Sequence, residues 1–157
     1  SANGLDRLGD RREDRAMPHA DKPNQLHDQV GFRMRQANQR HLTIFARYIP
    51  HLTPMQFAAL SKLDELGAVS QNDLGRQTAM DAATMKGVID RLARKGFVAT
   101  EADPSDQRRL LVRLTEAGKD IYAAAVPPAR AITEETLGPL TAREQARFLQ
   151  LLAKLAL

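Results

Sequence analysis

The sequence predicts a mainly α-helical chain with one small β-hairpin, and three observations support this fold class. Apolar residues recur at helical spacing through most of residues 26–155. Capping residues and glycines divide this part of the chain into separate helices. Residues 97–115 instead alternate apolar and polar side chains, which is typical of two short strands. The predicted order is therefore helices, one hairpin, and helices again.

The composition limits the class of protein. The chain has 157 residues, the length of one ordinary domain. Its formal net charge of +4 favours contact with phosphates. The absence of cysteine excludes disulfides and thiolate metal sites, and no apolar run reaches the roughly 18 residues that cross a bilayer. We expect a cytoplasmic protein without a membrane partner or a cofactor.

The N-terminal region divides into an arm and a long helix. Residues 1–23 mix Asp, Arg, Gly and Pro without periodicity, and their charges nearly cancel, so they are predicted to form a mobile arm. Residues 26–49 have the apolar spacing of an amphipathic helix. This helix should end before Pro50, because the residue preceding a proline avoids the α conformation.

Two helices with clear start signals follow. Thr53 and Gln56 have the spacing of a capping box, and Gly67 is a predicted C-cap. Ser70 caps a second, shorter helix, which should break at residues 79–80. The next helix begins after a short turn, so the sequence predicts a helix-turn-helix.

The second helix of the helix-turn-helix is the candidate recognition helix, with Asp81 as its N-cap and Gly96 at its end. The inward positions are Met85, Val88, Ile89 and Leu92. The outward positions are Ala83, Lys86, Gly87, Asp90 and Arg94, with Thr84 and Arg91 at the flank. Because an exposed helical glycine costs about 1 kcal/mol relative to alanine, Gly87 favours close approach to a DNA major groove. The alternative is a glycine that the helix merely tolerates.

The predicted hairpin consists of residues 97–102 and 110–115, joined by the loop "DPSDQRR". Alternation places Leu110, Val112 and Leu114 inward, and Leu111, Arg113 and Thr115 outward. A hairpin directly after a helix-turn-helix forms a wing, so residues 53–115 are interpreted as a winged helix-turn-helix.

The wing carries the residues expected to contact the minor groove. Arg108 and Arg109 lie at or just past the predicted loop tip, where a guanidinium responds to groove width and potential. Asp106 cannot contact DNA favourably, so we expect it to hold Arg108 in one rotamer. A solvated, charged turn without a ligand is the alternative.

Two further helices complete the chain. Thr115 is a predicted cap of the first, which Pro127 and Pro128 should kink or break. Thr141 and Glu144 form a predicted capping box for the second. Long apolar stripes in residues 24–50 and 116–157 exceed what a winged helix needs, so these two regions are predicted to form a homodimer.

The wing sequence "DPSDQRRLLVRLTEAG" resembles the signature D-x-R-D-x-R-x-x-x-V-x-L-T-x-x-G of the MarR family of ligand-responsive repressors. The matching positions are Asp103, Asp106, Arg108, Val112, Leu114, Thr115 and Gly118. Ser105 stands where the family usually has arginine, so one wing contact is expected to be missing. The resemblance covers residues 26–157. Residues 24–157 are predicted to form a single domain. The resemblance implies a homodimer with interlocked terminal helices on a palindromic operator.

Polar residues interrupt the apolar stripe of the first helix and define a candidate effector site. Its residues are Arg35, Asn38, His41, Phe45 and Tyr48, with His51 in the following loop. The family resemblance implies a small aromatic carboxylate or phenol, with Arg or His at the anion and Phe45 or Tyr48 at the ring. The alternative is that Asn38 and His41 hydrogen-bond across the dimer.

Two stretches, "RQANQRHLTIFARYIPHLTPMQFAAL" and "SQNDLGRQTAMDAATMKGVIDRL", resemble the branch of that family that represses nicotinic-acid degradation. That resemblance implies a hydroxylated nicotinate as the inducer. Spacing and composition alone do not select this ligand.

Three other classes of protein compete with a ligand-responsive repressor. An enzyme is disfavoured, because the sequence has no glycine-rich phosphate loop, no cysteine and no Gly-x-Ser-x-Gly turn. No pair of histidines has metal-ligand spacing, so no metal is expected, although a metal-responsive repressor stays as an alternative. A winged helix that binds only proteins is the other alternative.

Overall fold

Six α-helices and three short strands form residues 25–156, the part of the chain that the computed structural model describes. The helices are α1 (Val30–Tyr48), α2 (Pro54–Leu66), α3 (Gln71–Gln77), α4 (Ala82–Arg94), α5 (Glu116–Leu137) and α6 (Ala142–Leu155). The strands are β1 (Val69–Ser70), β2 (Val98–Asp103) and β3 (Asp106–Leu114). The predicted N-terminal arm, residues 1–23, lies outside the described residues. The predicted fold class is confirmed.

The described chain divides into two units, one ending at Arg35 and the other beginning at Gln36. The first unit contains a short 3-10 helix, Leu26–Asp28, and the start of α1. The predicted start of α1 at residue 26 is therefore four residues early, although its end at Tyr48 agrees with the proline rule. The second unit contains the remaining elements and the core described below.

Side-chain caps begin the helices of the second unit where the sequence predicts them. The capping boxes at Thr53 and at Thr141 are both complete. Ser70, Asp81 and Thr115 each accept a hydrogen bond from the backbone N–H three residues later. The caps at Ser70 and Asp81 fix where α3 and α4 begin, and thereby the helix-turn-helix.

The sheet is antiparallel, with the strand order β1-β3-β2. Strand β1 was not predicted, because two residues are too short to show alternation. Strand β3 begins at Asp106, so the hairpin turn consists only of Pro104 and Ser105. Arg108 and Arg109 consequently lie within β3 rather than at a loop tip.

The prediction is wrong for one of the three inward positions of the wing. Val112 and Leu114 are buried as predicted, but Leu110 is 55% exposed. Leu110 pairs with Ala102 near the hairpin turn, where residues 104–109 are all exposed. Alternation gives the face of a side chain but not how far the core extends along a strand.

Helix α5 continues through Pro127 and Pro128, so the predicted break does not occur. Two prolines remove two backbone N–H donors and cost several kcal/mol in a helix interior. Ala125 and Ile132 are buried on either side of the pair. The burial of this face offsets the cost of the two prolines. Intrinsic helix propensity alone does not predict that the helix continues.

A single cluster of apolar residues fills the second unit and fixes the orientation of α4. All four inward positions predicted for α4 are buried. Gly118 marks a close approach in this packing, because a Cβ atom there would clash with the carbonyl oxygen of Phe97. Thr115 joins the same junction by donating its hydroxyl proton to the Gly96 carbonyl at 2.6 Å. Thr115 and Gly118, which match the T and the last G of the wing signature, thus hold the start of α5 against the residues that follow α4.

Candidate nucleic-acid interface and effector cleft

Helix α4 presents a small and basic outer surface. Ala83, Lys86, Asp90, Arg91 and Arg94 are exposed, and Thr84 and Gly87 are half-buried. The N-terminal end is held by Asp81, whose carboxylate accepts a hydrogen bond from the Thr84 backbone N–H at 2.7 Å. This hydrogen bond lowers the pKa of Asp81 below its usual value. The cap therefore stays ionised at neutral pH and steadies the end of the helix that carries the small residues.

Packing within the chain does not require the glycine at position 87. A Cβ atom there would meet only the end of the Arg91 side chain, with the nearest atom, Nη2, at 3.3 Å. Since Arg91 is exposed and flexible, it can move away. The absence of a side chain at Gly87 therefore leaves room for an external ligand to approach the helix backbone.

Charged side chains on α4 have partners within the helix. The ammonium of Lys86 lies 2.9 Å from the carboxylate of Asp90, and Arg94 donates to the Asp90 carbonyl at 3.3 Å. Exposed pairs of this kind contribute at most about 1 kcal/mol. A DNA phosphate can therefore replace the Asp90 carboxylate as the partner of Lys86 at little cost.

Asp73 on α3 ties the wing to the helix-turn-helix. Its carboxylate lies 3.1 Å from the guanidinium of Arg109 in β3 and accepts a hydrogen bond from the Ser70 hydroxyl at 2.7 Å. It also forms an ion pair with Arg76. The position of the wing is thus linked to the start of the helix preceding α4.

The predicted contact between Asp106 and the Arg108 side chain does not occur. Asp106 instead accepts a hydrogen bond from the backbone N–H of Arg108 at 3.0 Å. Within residues 25–156 the Arg108 guanidinium forms no ion pair, whereas that of Arg109 is held by Asp73. Asp73 is 36 residues away from Arg109, and its only sequence signal is its spacing from the cap Ser70.

A basic groove of about 530 Å³ lies between the start of α3 and the wing. Its lining consists of Ser70, Gln71, Asn72, Arg76, Arg108, Arg109 and Leu110. Three guanidinium groups and several hydroxyl or amide groups thus face one groove. This combination of donors is suited to the phosphates and groove edges of a nucleic acid.

Ser105 has a structural role in the wing turn. Its backbone N–H and its hydroxyl both donate to one carboxylate oxygen of Asp103, at 2.9 and 2.7 Å. These hydrogen bonds are the main cause of the lowered pKa of Asp103. The residue that replaces the usual arginine therefore closes the turn and offers no cation at this position.

The predicted effector residues do not form one group. Phe45 and His51 line an open cleft of about 380 Å³ at the end of α1 and the start of α2. The other lining residues are Leu42, Ala46, Ile49, Pro50, Leu52, Thr53, Pro54, Gln56 and Lys95. Tyr48 and His51 line a smaller neighbouring cavity of about 110 Å³. Asn38 and His41 line neither cavity, and Arg35 belongs to the first unit.

Polar residues of α1 contact the C-terminal end of α5. The Nδ1 atom of His41 lies 3.0 Å from the Thr136 hydroxyl, and Arg40 donates to the carbonyls of Glu135 and Thr136 at 2.8 and 2.7 Å. Arg47 lies 2.5 Å from the Glu135 carboxylate, and this hydrogen bond lowers the pKa of Glu135. Cations at a helix C-terminus are favourable, so these residues have partners within the chain.

Helix α6 leaves its apolar face uncovered. No described residue of this helix is buried. Phe148, Leu149, Leu151, Leu152 and Leu155 are all exposed. An apolar stripe of this length is typical of a protein interface.

Residues 25–156 contain neither a metal cluster nor a membrane span. No three His, Asp or Glu side chains in this part lie close enough to hold a metal ion. No helix there is both long and apolar enough to cross a bilayer.

Residues 52–110 match the MarR family. The HTH-type transcriptional repressor NicR of Pseudomonas putida is 39% identical over 140 residues, covering 88% of this chain and 89% of NicR. A crystal structure of a probable transcriptional regulator from Pseudomonas aeruginosa is 51% identical, with a TM-score of 0.81 and coverage of 83% of this chain and 99% of that one.

Bordetella bronchiseptica BpsR, whose DNA binding is regulated by 6-hydroxynicotinic acid, is also similar to this chain. It is 40% identical, with a TM-score of 0.82, covering 86% of this chain and 98% of BpsR.

Proposed function

The chain belongs to the MarR family, and from this premise we propose that it is a ligand-responsive repressor that binds a pseudo-palindromic operator as a homodimer. It is a transcriptional regulator and not an enzyme. Because the proposed partner is double-stranded operator DNA, we propose a cytoplasmic location.

The basic groove beside α3, together with the exposed face of α4, is the observation that carries this proposal. We assign contacts in the major groove to Ala83, Thr84, Lys86, Gly87, Asp90, Arg91 and Arg94. We assign the adjacent minor groove to the wing residues Arg108 and Arg109, with Asp106 positioning the backbone of Arg108. Arg108, which forms no ion pair within residues 25–156, is available for DNA without losing an internal partner.

Dimerisation is the second part of the proposal. The exposed apolar side chains of residues 24–50 and of the C-terminal part of residues 116–157, which includes the leucines of α6, would be buried against a second copy. Two recognition helices related by a two-fold axis enter successive major grooves about 34 Å apart. The operator should therefore contain two inverted half-sites.

A small aromatic carboxylate is the proposed effector, with 6-hydroxynicotinate as the first candidate. The similarity to BpsR supports the choice of acid, and the cleft of about 380 Å³ falls within the size range of small-molecule sites. Phe45 and His51, which line this cleft, are the proposed contacts of the ring. A ligand releases the operator only if it binds better to a dimer with wrongly spaced helices. A typical coupling would weaken DNA binding about 5- to 150-fold.

Fluorescence anisotropy with a labelled duplex tests this function. The duplex carries a palindrome found upstream of the chain's own gene or its neighbours. Arg108→Ala should weaken binding by about tenfold or more and reduce the salt dependence. The matched control is Lys62→Ala, since Lys62 lies on α2, where it pairs with Glu65. A protein-interaction module would instead show no duplex binding, or equal binding by both variants.

A further inference from the structure

The cleft of about 380 Å³ that Phe45 and His51 line has mostly apolar walls and one cationic group. Among the described residues that line it, Lys95 is the only lysine, arginine, aspartate or glutamate. Lys95 also lines a second open cleft of about 490 Å³, which it shares with His51 and Phe97. Lys95 is therefore shared by two clefts that both include His51.

Lys95 occupies a junction between the cleft and the recognition helix. It is the C-cap residue of α4, and its backbone N–H donates to the Arg91 carbonyl at 3.2 Å. Its side-chain ammonium donates to the His51 carbonyl at 3.1 Å. A single side chain therefore connects the end of α4 to the loop between α1 and α2.

We propose that Lys95 binds the carboxylate of the effector and, by leaving the His51 carbonyl, transmits ligand binding to the end of the recognition helix. This inference rests on the ligand response proposed above, and it adds the anion-binding residue and the route of coupling. An aromatic acid places its ring against Phe45 and its carboxylate at the ammonium.

When Lys95 exchanges the His51 carbonyl for the carboxylate of the ligand, the ligand favours the state of the protein in which the contact between Lys95 and His51 is broken. A carboxylate forms a stronger hydrogen bond with an ammonium than a neutral carbonyl does. When Lys95 turns to the carboxylate, the hydrogen bond to His51 is lost, and the C-terminal end of α4 is no longer held to the loop. Binding that breaks this contact favours the state in which α4 is less firmly positioned. A negatively charged ligand in the cleft would compete for the Lys95 ammonium, whereas a neutral ligand would leave this exposed contact in place.

Isothermal titration calorimetry on the full chain tests the charge pairing. The two ligands are 6-hydroxynicotinate and its neutral amide, 6-hydroxynicotinamide. The wild-type chain should bind the acid about tenfold more tightly than the amide, and Lys95→Gln should abolish this preference. Lys95→Arg should keep it, because the charge remains, and Lys62→Gln on α2 is the matched control for an unrelated lysine.

The coupling is tested by operator binding at saturating acid, with each variant compared with its own affinity in the absence of ligand. Lys95→Gln should show a several-fold smaller release than the wild type and the Lys62→Gln control. A Lys95→Gln variant with the wild-type preference for the acid and full release would overturn this inference and leave the proposed function standing. A wild-type operator complex that ignores the acid would overturn the proposed ligand response and, with it, the inference.

Discussion

Helices α4 and α6 have similar lengths and patterns, but their apolar faces lie in opposite environments. Helix α4 has 13 residues and α6 has 14, and each begins at a side-chain cap. Met85 and Leu92 of α4 are completely buried in the core. In α6 no described residue is buried, and Leu155 is 70% exposed.

The difference shows that an apolar stripe predicts burial without indicating what provides it. The stripe of α4 is covered by other elements of the same chain, so its stabilisation is present in one copy. The stripe of α6 needs a second surface, and the proposed dimer makes its contribution depend on protein concentration. Substitutions in the two stripes should therefore have effects of different size and different concentration dependence.

The largest expected effect comes from the buried stripe. Leu92→Ala should lower the free energy of unfolding by about 2 to 5 kcal/mol, because it leaves a cavity in a closely packed core. Urea unfolding followed by circular dichroism measures this loss, which should be the same at all protein concentrations. Arg94→Ala, on the exposed side of the same helix, should change the stability by less than about 0.5 kcal/mol. Equal losses in the two variants would contradict the assigned faces.

An intermediate effect is expected from the exposed stripe. Leu151→Ala should weaken the dimer by about 1 kcal/mol for each copy, since apolar area is no longer buried between chains. Sedimentation velocity over a range of concentrations measures the dissociation constant. The matched control is Gln150→Ala on the same helix. A dimer that both variants leave unchanged would mean that α6 is not part of the interface.

The same contrast explains which parts of the fold the sequence predicts. Caps at Thr53, Asp81 and Thr141 depend on neighbours three residues away, so local spacing identifies them correctly. The exposure of Leu110 and the continuity of α5 through Pro127 depend on packing between distant segments, which no local pattern records.

The candidate site follows the same rule. The outer face of α4 follows from helical periodicity, and the structure exposes or half-buries every predicted residue of it. The pairing of Arg109 with Asp73 joins residues from β3 and α3, and the contact of Lys95 with His51 joins the end of α4 to the loop after α1. Such contacts require the three-dimensional fold, and they supply the electrostatics of both the groove and the cleft.

The smallest expected effect concerns the cap of α4. The lowered pKa of Asp81 means that the carboxylate stabilises the folded chain fully above its unfolded pKa, about 3.9, and loses this effect as the pH falls through the lower folded value. In Asp81→Ser the cap is a hydroxyl that does not ionise, so it keeps its effect in acid.

Urea midpoints of Asp81→Ser and the wild type should therefore differ by a constant amount between pH 7 and about pH 5, well above the ordinary aspartate pKa. Below about pH 4, near that pKa, the variant should gain relative to the wild type, because only the wild-type cap becomes protonated. The matched control is Thr141→Ser in α6, which exchanges one hydroxyl cap for another and should follow the wild type in acid. If the difference between Asp81→Ser and the wild type stayed constant in acid, the carboxylate would not be stabilising the start of α4, and the steadiness of its small-residue end would have another origin.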